Sequence, residues 1–561
     1  MKVLKGLPLV FLISGFILLF SFSEPLYLIK IPKSDLAQWS VLQKFQIDIA
    51  QELETCYLAR AGREEFRVLR QNRVRFSILD KDIQGKEYFL VQAGSLKALA
   101  ALQAKGQLRA VEKETILCWT KEGDPAAILP PDVVRKPLPS DSLLPYIKRP
   151  SPPLTIQAPE ELKNDLVQFI VNQVSRDNLR SLVSDLELFQ TRYASTANCE
   201  AAGEFIYLYF QTLGLNPRYE PFTFRSVYSS RNIIAEKTGQ AYPDDVVIIC
   251  GHYDSYSRSA ATLAPGADDN ASGTAAVMEA ARILMPYNFD FTIRFIAFSA
   301  EEWGLYGSQY HASRARARQE KIVGVINLDM IAYADAIPED LELFVNQDSE
   351  WLAERLGLAA RSYTGLPFRK IIDASMVYSD HAPFWDTGYP ALLGIEDMPL
   401  RNPYYHQTTD TIDTLNFDFF TSSAKTALGA LAELAQPVRT GYPKTPAGLE
   451  AKAYLYSSLF NSLKTVHLSW TASPDAQGYN IYRSTTSHLN YQKINSSPVQ
   501  SAAFLDRILK TDIPHFYAVT ALGYGGLESN FSREVKIEAA QISPPRTSIQ
   551  TFSLFERRGS R

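Results

Sequence analysis

Short apolar runs alternate with helix-spaced segments through the middle of this chain. The runs VVIIC (246–250), TIRFIAF (292–298), VGVIN (323–327) and PALLGI (390–395) are strand-length and rich in β-branched and aromatic residues. Between and around them, SGTAAVMEAARILM (272–285), WGLYGSQYHASRARARQEK (303–321) and SEWLAERLGLAAR (349–361) repeat apolar positions at helical spacing. The same spacing runs through 159–186, through NCEAAGEFIYLYFQTLGL (198–215) ended near Gly214, and through the closing helix 414–436, while RYEPFTF (218–224) and RNIIAEKTG (231–239) read as strands. Near-continuous apolar strands joined by helices predict an α/β fold with a mixed, mostly parallel sheet flanked by helices, over residues 158–437.

The flanks carry other patterns. In 24–127, LYLIKI, EEFRVLR, RVRFSIL and EYFLVQA read as short strands and LKALAALQAKG as a short helix ended by Gly106, which predicts a small α+β domain. Prolines 130, 131, 137, 139, 145, 150, 152 and 153 mark 128–157 as an extended linker. A folded domain tethered ahead of the central one is a candidate propeptide. Residues 444–540 hold alternating strands (VHLSWTASP, GYNIYRSTT, HFYAVTALGYGG, REVKIEA) carrying Trp470, Tyr479, Tyr482 and Tyr517, which predicts a β-sandwich. The tail 541–561 is polar and rich in Pro and Ser.

Composition narrows the picture little. Lys+Arg 57 against Asp+Glu 61 gives a net charge of −4, which offers no case for nucleic acid or an anionic membrane as the main partner. Residues 1–23 matter more: Lys2 and Lys5, the apolar LPLVFLISGFILLF and small residues at Ser21 and Ser23 read as a secretory signal peptide, with an uncleaved anchor as the rival. The expected location is therefore outside the cell or in the periplasm, with no membrane span in the mature chain. Cys56, Cys118, Cys199 and Cys250 are not spaced as a zinc ribbon or a disulfide framework; Cys56 and Cys118 fall in one domain and could pair, and Cys250 reads as core.

The candidate chemistry sits where the central runs end. His252 and Asp254 follow VVIIC, Glu301 and Glu302 follow FIAFSA, Asp329 follows VGVIN, and Asp268 and Asp269 lie in a Gly-bounded turn before a helix. Function collects beyond the carboxyl ends of strands in such sheets, so one rim receives His, Glu and Asp. A second imidazole comes from His406 in YYHQTTDT. Two imidazoles with carboxylates suit zinc, which keeps a position for water, and a bridging carboxylate would hold two ions about 3.5–4 Å apart. Of two adjacent glutamates, one can bind metal while the other takes a proton from the water that the metal holds.

The strings GHYDS, GADDNASG, SAEEWGLYGS, NLDM and YHQTTDT, in this order, resemble the M28-type zinc aminopeptidases over about half the chain. The resemblance implies a zinc-exopeptidase α/β domain and two Zn2+ per chain acting on peptide or protein N-termini. Position by position it makes His252 and Asp329 terminal ligands of one zinc, Glu302 and His406 terminal ligands of the other, and Asp269 the bridge. It makes Glu301 the general base and acid, Asp254 the carboxylate that orients His252, and Tyr405 a phenol facing the oxyanion. Asp380-His381 resembles a further family motif lining the pocket. Asp410, in HQTTDT, reads as organising its loop rather than binding metal. The C-terminal strands resemble a fibronectin type III module, whose His467, His488 and His515 show no ligand spacing.

Rival readings keep the fold. Glutaminyl cyclases resemble this family with one zinc; receptor ectodomains of this fold have lost ligands; a carboxypeptidase would need a cationic clamp, for which Arg401 is the nearby arginine. Glu396, at the end of PALLGIE, is a candidate for the substrate's free amine, Asp397 lies beside it, and His311 reads as an ordinary surface histidine. Phe384, Trp385, Tyr404 and Met376 are candidate pocket walls.

Overall fold

The computed structural model describes residues 11–13, 16–18, 26–33, 41–42, 44–53, 55–81, 83, 86–93, 107–112, 115–120, 133–138, 164–397, 401–457, 462–508 and 513–539. The expected leader (apart from six of its residues), the helix LKALAALQAKG and the tail lie outside them. Among the described residues no helix is long and apolar enough to cross a membrane.

The central sheet is built from β1 (Arg218–Phe224), β2 (Tyr228–Lys237), β3 (Tyr242–His252), β4 (Phe291–Phe298), β5 (Lys321–Leu328), β6 (Leu341–Val345), β7 (Phe368–Ile372) and β8 (Ala391–Ile395). Its order is β1-β2-β4-β3-β5-β8-β6-β7. The middle four, β4, β3, β5 and β8, are mutually parallel, and antiparallel pairs flank them on both sides. Every residue of β4 and β8 is buried, the expected state of strands covered on both faces. Register places His252, the last residue of β3, opposite Phe298, the last of β4. Leu328 ends β5 next to Asp329. The helix Gly273–Leu284 is seated almost on the strand ends: a Cβ on Gly273 would lie 2.2 Å from the Leu328 carbonyl oxygen. Only glycine permits that approach.

The N-terminal region forms two four-stranded sheets, one from Tyr27–Pro32, Asp48–Glu52, Cys56–Ala61 and Ser77–Asp80, the other from Glu87–Ala93, Gln107–Glu112, Thr115–Thr120 and Val133–Pro137. Two expectations are corrected. EEFRVLR is not a strand but the body of the helix Arg63–Gln71. Glu64 and Glu65 stand in its first turn, and Glu65 Oε2 accepts the Gly62 amide at 2.8 Å, which satisfies a donor that the helix start leaves open. The expected linker 128–157 also starts too early, because Val133–Pro137 pairs with Glu87–Ala93.

One buried apolar cluster joins this region to the central domain. Leu28, Leu53, Leu58, Tyr88, Leu90, Leu117 and Trp119 pack with Leu305, Met330, Met376, Tyr378, Leu393 and Ile395.

A second compact unit begins at Arg439. Seven strands form a three-stranded and a four-stranded sheet, whose inner faces share Leu449, Val466, Leu468, Trp470, Tyr479, Ile481, Tyr517, Val519 and Ala521. Cys199 and Cys250 are buried thiols; the side chain of Cys118, and with it any pairing with Cys56, lies outside the described residues.

Candidate metal centre

The strand ends and two loops bring the sequence-derived ligands together. His252 Nε2 lies 3.3 Å from Asp329 Oδ1, 3.4 Å from Asp269 Oδ1 and 3.9 Å from Glu301 Oε2. His406 Nε2 lies 2.9 Å from Glu302 Oε2 and 3.3 Å from Asp269 Oδ2. The two oxygens of Asp269 thus face two different imidazoles. Donor atoms of His252, Glu301 and Asp329 all fall within 4.8 Å of one another, as do those of His252, Asp269 and Glu302. All six side chains are buried or nearly so. The backbone is held away from its easy conformations here: Ala300 before Glu301, Met330 after Asp329, and His406 itself have φ of 57°, 52° and 55°. Such left-handed residues concentrate at functional sites.

Several of these candidates are held by neighbouring side chains and backbone. Asp254 was expected to hold His252 through its carboxylate. Its carboxylate stands 3.7 Å from His252 Nδ1, and its backbone carbonyl is closer, at 3.1 Å. The carboxylate accepts the amides of Glu301 and Glu302 at 3.2 and 3.3 Å, tying the β3 end to the glutamate turn. Asp410 accepts the amides of Asp268 and Asp269 at 2.9 and 3.0 Å, so it holds the turn that carries Asp269 as well as its own loop. Ser379 donates to Asp329 Oδ2 at 2.6 Å and accepts from Asn327 Nδ2 at 2.8 Å. Support of this kind orients ligands and sets their basicity.

The electrostatics are those of too many acids in one buried place. Burial opposes a charged His252, yet Glu301 and Asp329 outweigh it and raise its pKa well above the ordinary value. His406, opposed by burial in the same way, is raised to about 10 by Glu302 and Asp269. Glu301 is pushed well above the carboxylate range, first by burial and then by Glu302 and Asp329 against the relief from His252. Asp269 goes the other way: burial opposes its ionisation, but hydrogen bonds from both imidazoles hold it below the usual range. These shifts favour protons on His252, His406 and Glu301, whose place a cation can take. Two imidazoles, one carboxylate between them and a terminal carboxylate for each form a donor set suited to zinc.

Other candidates fall elsewhere. Tyr405 lines the pocket, stacks on the His406 ring at 3.8 Å, and has its phenol pushed well up by burial and by Asp269 and Glu302. Glu396 does not reach an open mouth. It is 1% exposed, accepts the Tyr333 amide and Asn402 Nδ2, and shares Asn402 with Asp268. Its carboxyl is raised by burial and by Asp268. Asp268 itself accepts the Ala332 amide and is pushed up to about 7, chiefly by burial. His311 is not on the surface; it is 2% exposed between Glu220 and Arg294. Asp380 is fully buried, and His381 holds the Met376 carbonyl. Arg401 pairs with Asp397. Of the expected walls Met376 lines the pocket, joined by Met330, Tyr378, Leu393 and Ile395. Phe384 packs instead against Phe298 and His311, and the Trp385 indole donates to the Ala391 carbonyl.

A carboxylate set between two imidazoles at the carboxyl rim of a mostly parallel sheet fits a class, the metal-dependent hydrolases. Residues 232–431 match peptidase family M28. Leucine aminopeptidase 1 of Paracoccidioides brasiliensis is 30% identical over 302 residues, covering 50% of this chain and 77% of that protein. Among solved structures, the LapA aminopeptidase of Legionella pneumophila is 18% identical, covering 74% of this chain and 100% of that one at a TM-score of 0.46. The glutaminyl cyclase of Porphyromonas gingivalis is 20% identical, covering 46% and 99% at 0.40. The chain belongs to peptidase family M28, as an enzyme of the metallo-aminopeptidase class.

Proposed function

We propose that the protein is a co-catalytic di-zinc aminopeptidase, exported through its N-terminal leader, that removes residues from the free N-termini of peptides. One observation carries the reading: Asp269 turns its two oxygens toward His252 and His406 at 3.4 and 3.3 Å. In it, His252 and Asp329 would hold one zinc, Glu302 and His406 the other, and Asp269 both. Bound zinc supplies Lewis acidity and lowers the pKa of water. Glu301, on the pocket wall and with its pKa already raised, takes the proton of the attacking water and delivers it to the leaving amine. Tyr405, kept a neutral phenol, donates to the developing oxyanion. Asp254 holds Glu301 and Glu302 in register through their amides. Met330, Met376, Tyr378, Leu393 and Ile395 receive an apolar first side chain. The C-terminal unit is read as a fibronectin type III-like module without chemistry of its own.

The test is zinc per chain together with amino-acid release from free and N-acetylated peptides. Two zinc ions and cleavage of free N-termini alone are expected. One zinc ion and cyclisation of N-terminal glutamine would replace this reading with that of a glutaminyl cyclase.

The N-terminal region, 24–127, is proposed to act as an inhibitory propeptide. Its support is the cluster that buries Leu53, Leu58, Tyr88 and Trp119 with the pocket residues Met330, Met376, Tyr378 and Ile395. Proteolysis within 138–157 should raise kcat/KM; equal activity of intact and cut chains would refute the inhibitory role.

A further inference from the structure

We infer that Arg192 is a positioning residue that fixes the distance between the two halves of the metal centre. It lies in TRYAS, between two helices, in a stretch where the sequence offers no ligand. Its side chain is completely buried. Moving a cation out of water is costly unless its donors are satisfied, and among the described residues this guanidinium forms no ion pair. It donates only to backbone carbonyls. Nε reaches Tyr253 at 2.7 Å, Nη1 reaches Pro265 at 2.6 Å and Leu186 at 3.2 Å, and Nη2 reaches Gly266 at 2.8 Å.

Those carbonyls define its task. Tyr253 stands between His252 and Asp254 at the end of β3, and Gly266 opens the turn that carries Asp269. One planar fork therefore spans from the strand that delivers a terminal ligand to the turn that delivers the bridge. The surrounding chain is stitched to the same place. The Arg192 amide donates to Ser255 Oγ at 3.0 Å, and Ser255 Oγ donates to the Ala264 carbonyl at 2.7 Å. The Ala264 amide donates to the Gln190 carbonyl at 2.8 Å. Gly266 leaves room for the fork: it has φ +55°, and a Cβ there would lie 3.0 Å from Arg192 Nη2 and 2.6 Å from Ser255 Cβ. Burial holds the pKa of the guanidinium below the ordinary value, against the opposing charges of Asp410, Asp254 and Asp269. A lysine offers a point charge and no fork, and cannot span carbonyls in this geometry.

The inference rests on the two-metal reading, and the experiment separates the two. Zinc dissociation constants are measured on metal-stripped wild type, Arg192→Lys and Ser255→Ala by chelator competition, with kcat, KM and Tm of the zinc-saturated forms. Ile170→Ala, a core truncation in the helix Asp165–Val171, serves as a control for lost stability. Arg192→Lys is expected to weaken both zinc ions about 10- to 100-fold. At saturating zinc its loss should fall on kcat, up to about 100-fold, with KM little changed. Ile170→Ala should lower Tm with zinc affinity intact. An Arg192→Lys protein that loses Tm like the control but keeps wild-type zinc affinity and kcat overturns the assignment. Should Arg192→Lys not fold, Ser255→Ala decides: severalfold weaker zinc at similar Tm supports the clamp, and unchanged affinity refutes it. A wild-type chain that binds fewer than two zinc ions would instead overturn the two-metal reading.

Discussion

Acids in the C-terminal unit, buried like Asp506 or half-buried like Glu528, and the buried acids at the sheet rim are treated in opposite ways. In the C-terminal unit each faces donors of its own neighbourhood. Asp506 accepts from Arg483 Nη1 at 2.8 Å and from the Tyr517 hydroxyl at 2.7 Å. Glu528 accepts from Asn480, Tyr482 and Thr520, and against the opposing effect of burial these bonds hold its pKa below the ordinary value. At the rim, four carboxylates crowd around two imidazoles. Glu302 is raised to about 7, by burial first and Asp269 next, and Glu301 is likewise raised, by burial first. A closed network holds itself together; an open one is arranged around something else. The difference marks the rim as the candidate reactive centre without reference to motif.

The sharpest way to break this contrast is to neutralise one rim acid that is assigned no ligand role. Glu301→Gln should retain zinc and lose about 100- to 10,000-fold in kcat, the range of a positioned proton carrier. Zinc analysis with steady-state kinetics checks it, and wild-type turnover would remove Glu301 from the reaction. Next in size is Ser379→Ala. With the hydroxyl gone from Asp329 Oδ2, zinc at the His252 side should weaken about 10- to 100-fold while the His406 side holds. Equal loss at both would show that the two positions are not independently built.

Acidity offers a subtler contrast. In the ion-free protein the raised His406 stabilises the fold fully below its unfolded value near 6.5, and that contribution is lost as pH rises toward about 10. The raised acids have the same sign, since Asp268 and Glu302 lose their contribution as pH rises toward about 7. Zinc binding must displace the protons on His406 and Glu302, so zinc affinity rises with pH over the same interval. Melting curves with chelator should therefore fall from pH 6 to 9, and curves at fixed zinc should rise over the acid part of that range. Parallel slopes would mean that the imidazoles carry no extra protons in the ion-free state.

Much of the rim was legible because ligands follow apolar runs whose strand character is strong, and strands in a parallel sheet end level. His252, Asp329 and Glu302 needed only that logic and the motif strings. What escaped was defined by backbone partners far away in sequence. Arg192 meets carbonyls 61 to 74 residues on, and Asp410 meets amides 141 and 142 residues back. No local pattern encodes such pairings. EEFRVLR was misread because its charged and apolar residues mimic alternation, while its helix is decided by the acids of the first turn and the burial of Leu69. Val133–Pro137 was misread because proline content hid a sheet-edge strand, a position where a missing amide is tolerated. Glu396 was placed at the pocket mouth from its strand end, yet the turn carrying Asp268 covers it.

The smallest effect tests the closed half of the comparison. Asp506→Ala removes the acceptor of Tyr517, whose side chain is completely buried, and of Arg483, whose side chain is 30% exposed. The arginine can turn to water and loses little. The phenol cannot, so a buried hydroxyl is left without its partner, at a cost of about 1–3 kcal/mol. That loss belongs to the C-terminal unit, which has its own core and its own sheets. Calorimetry should show its transition lowered while zinc content and kcat stay at wild-type values. Asp506→Asn, which keeps an acceptor for the tyrosine, should recover most of the stability. A fall in kcat with Asp506→Ala would mean that the C-terminal unit contributes to the reaction, and the division between a closed module and an open centre would no longer hold.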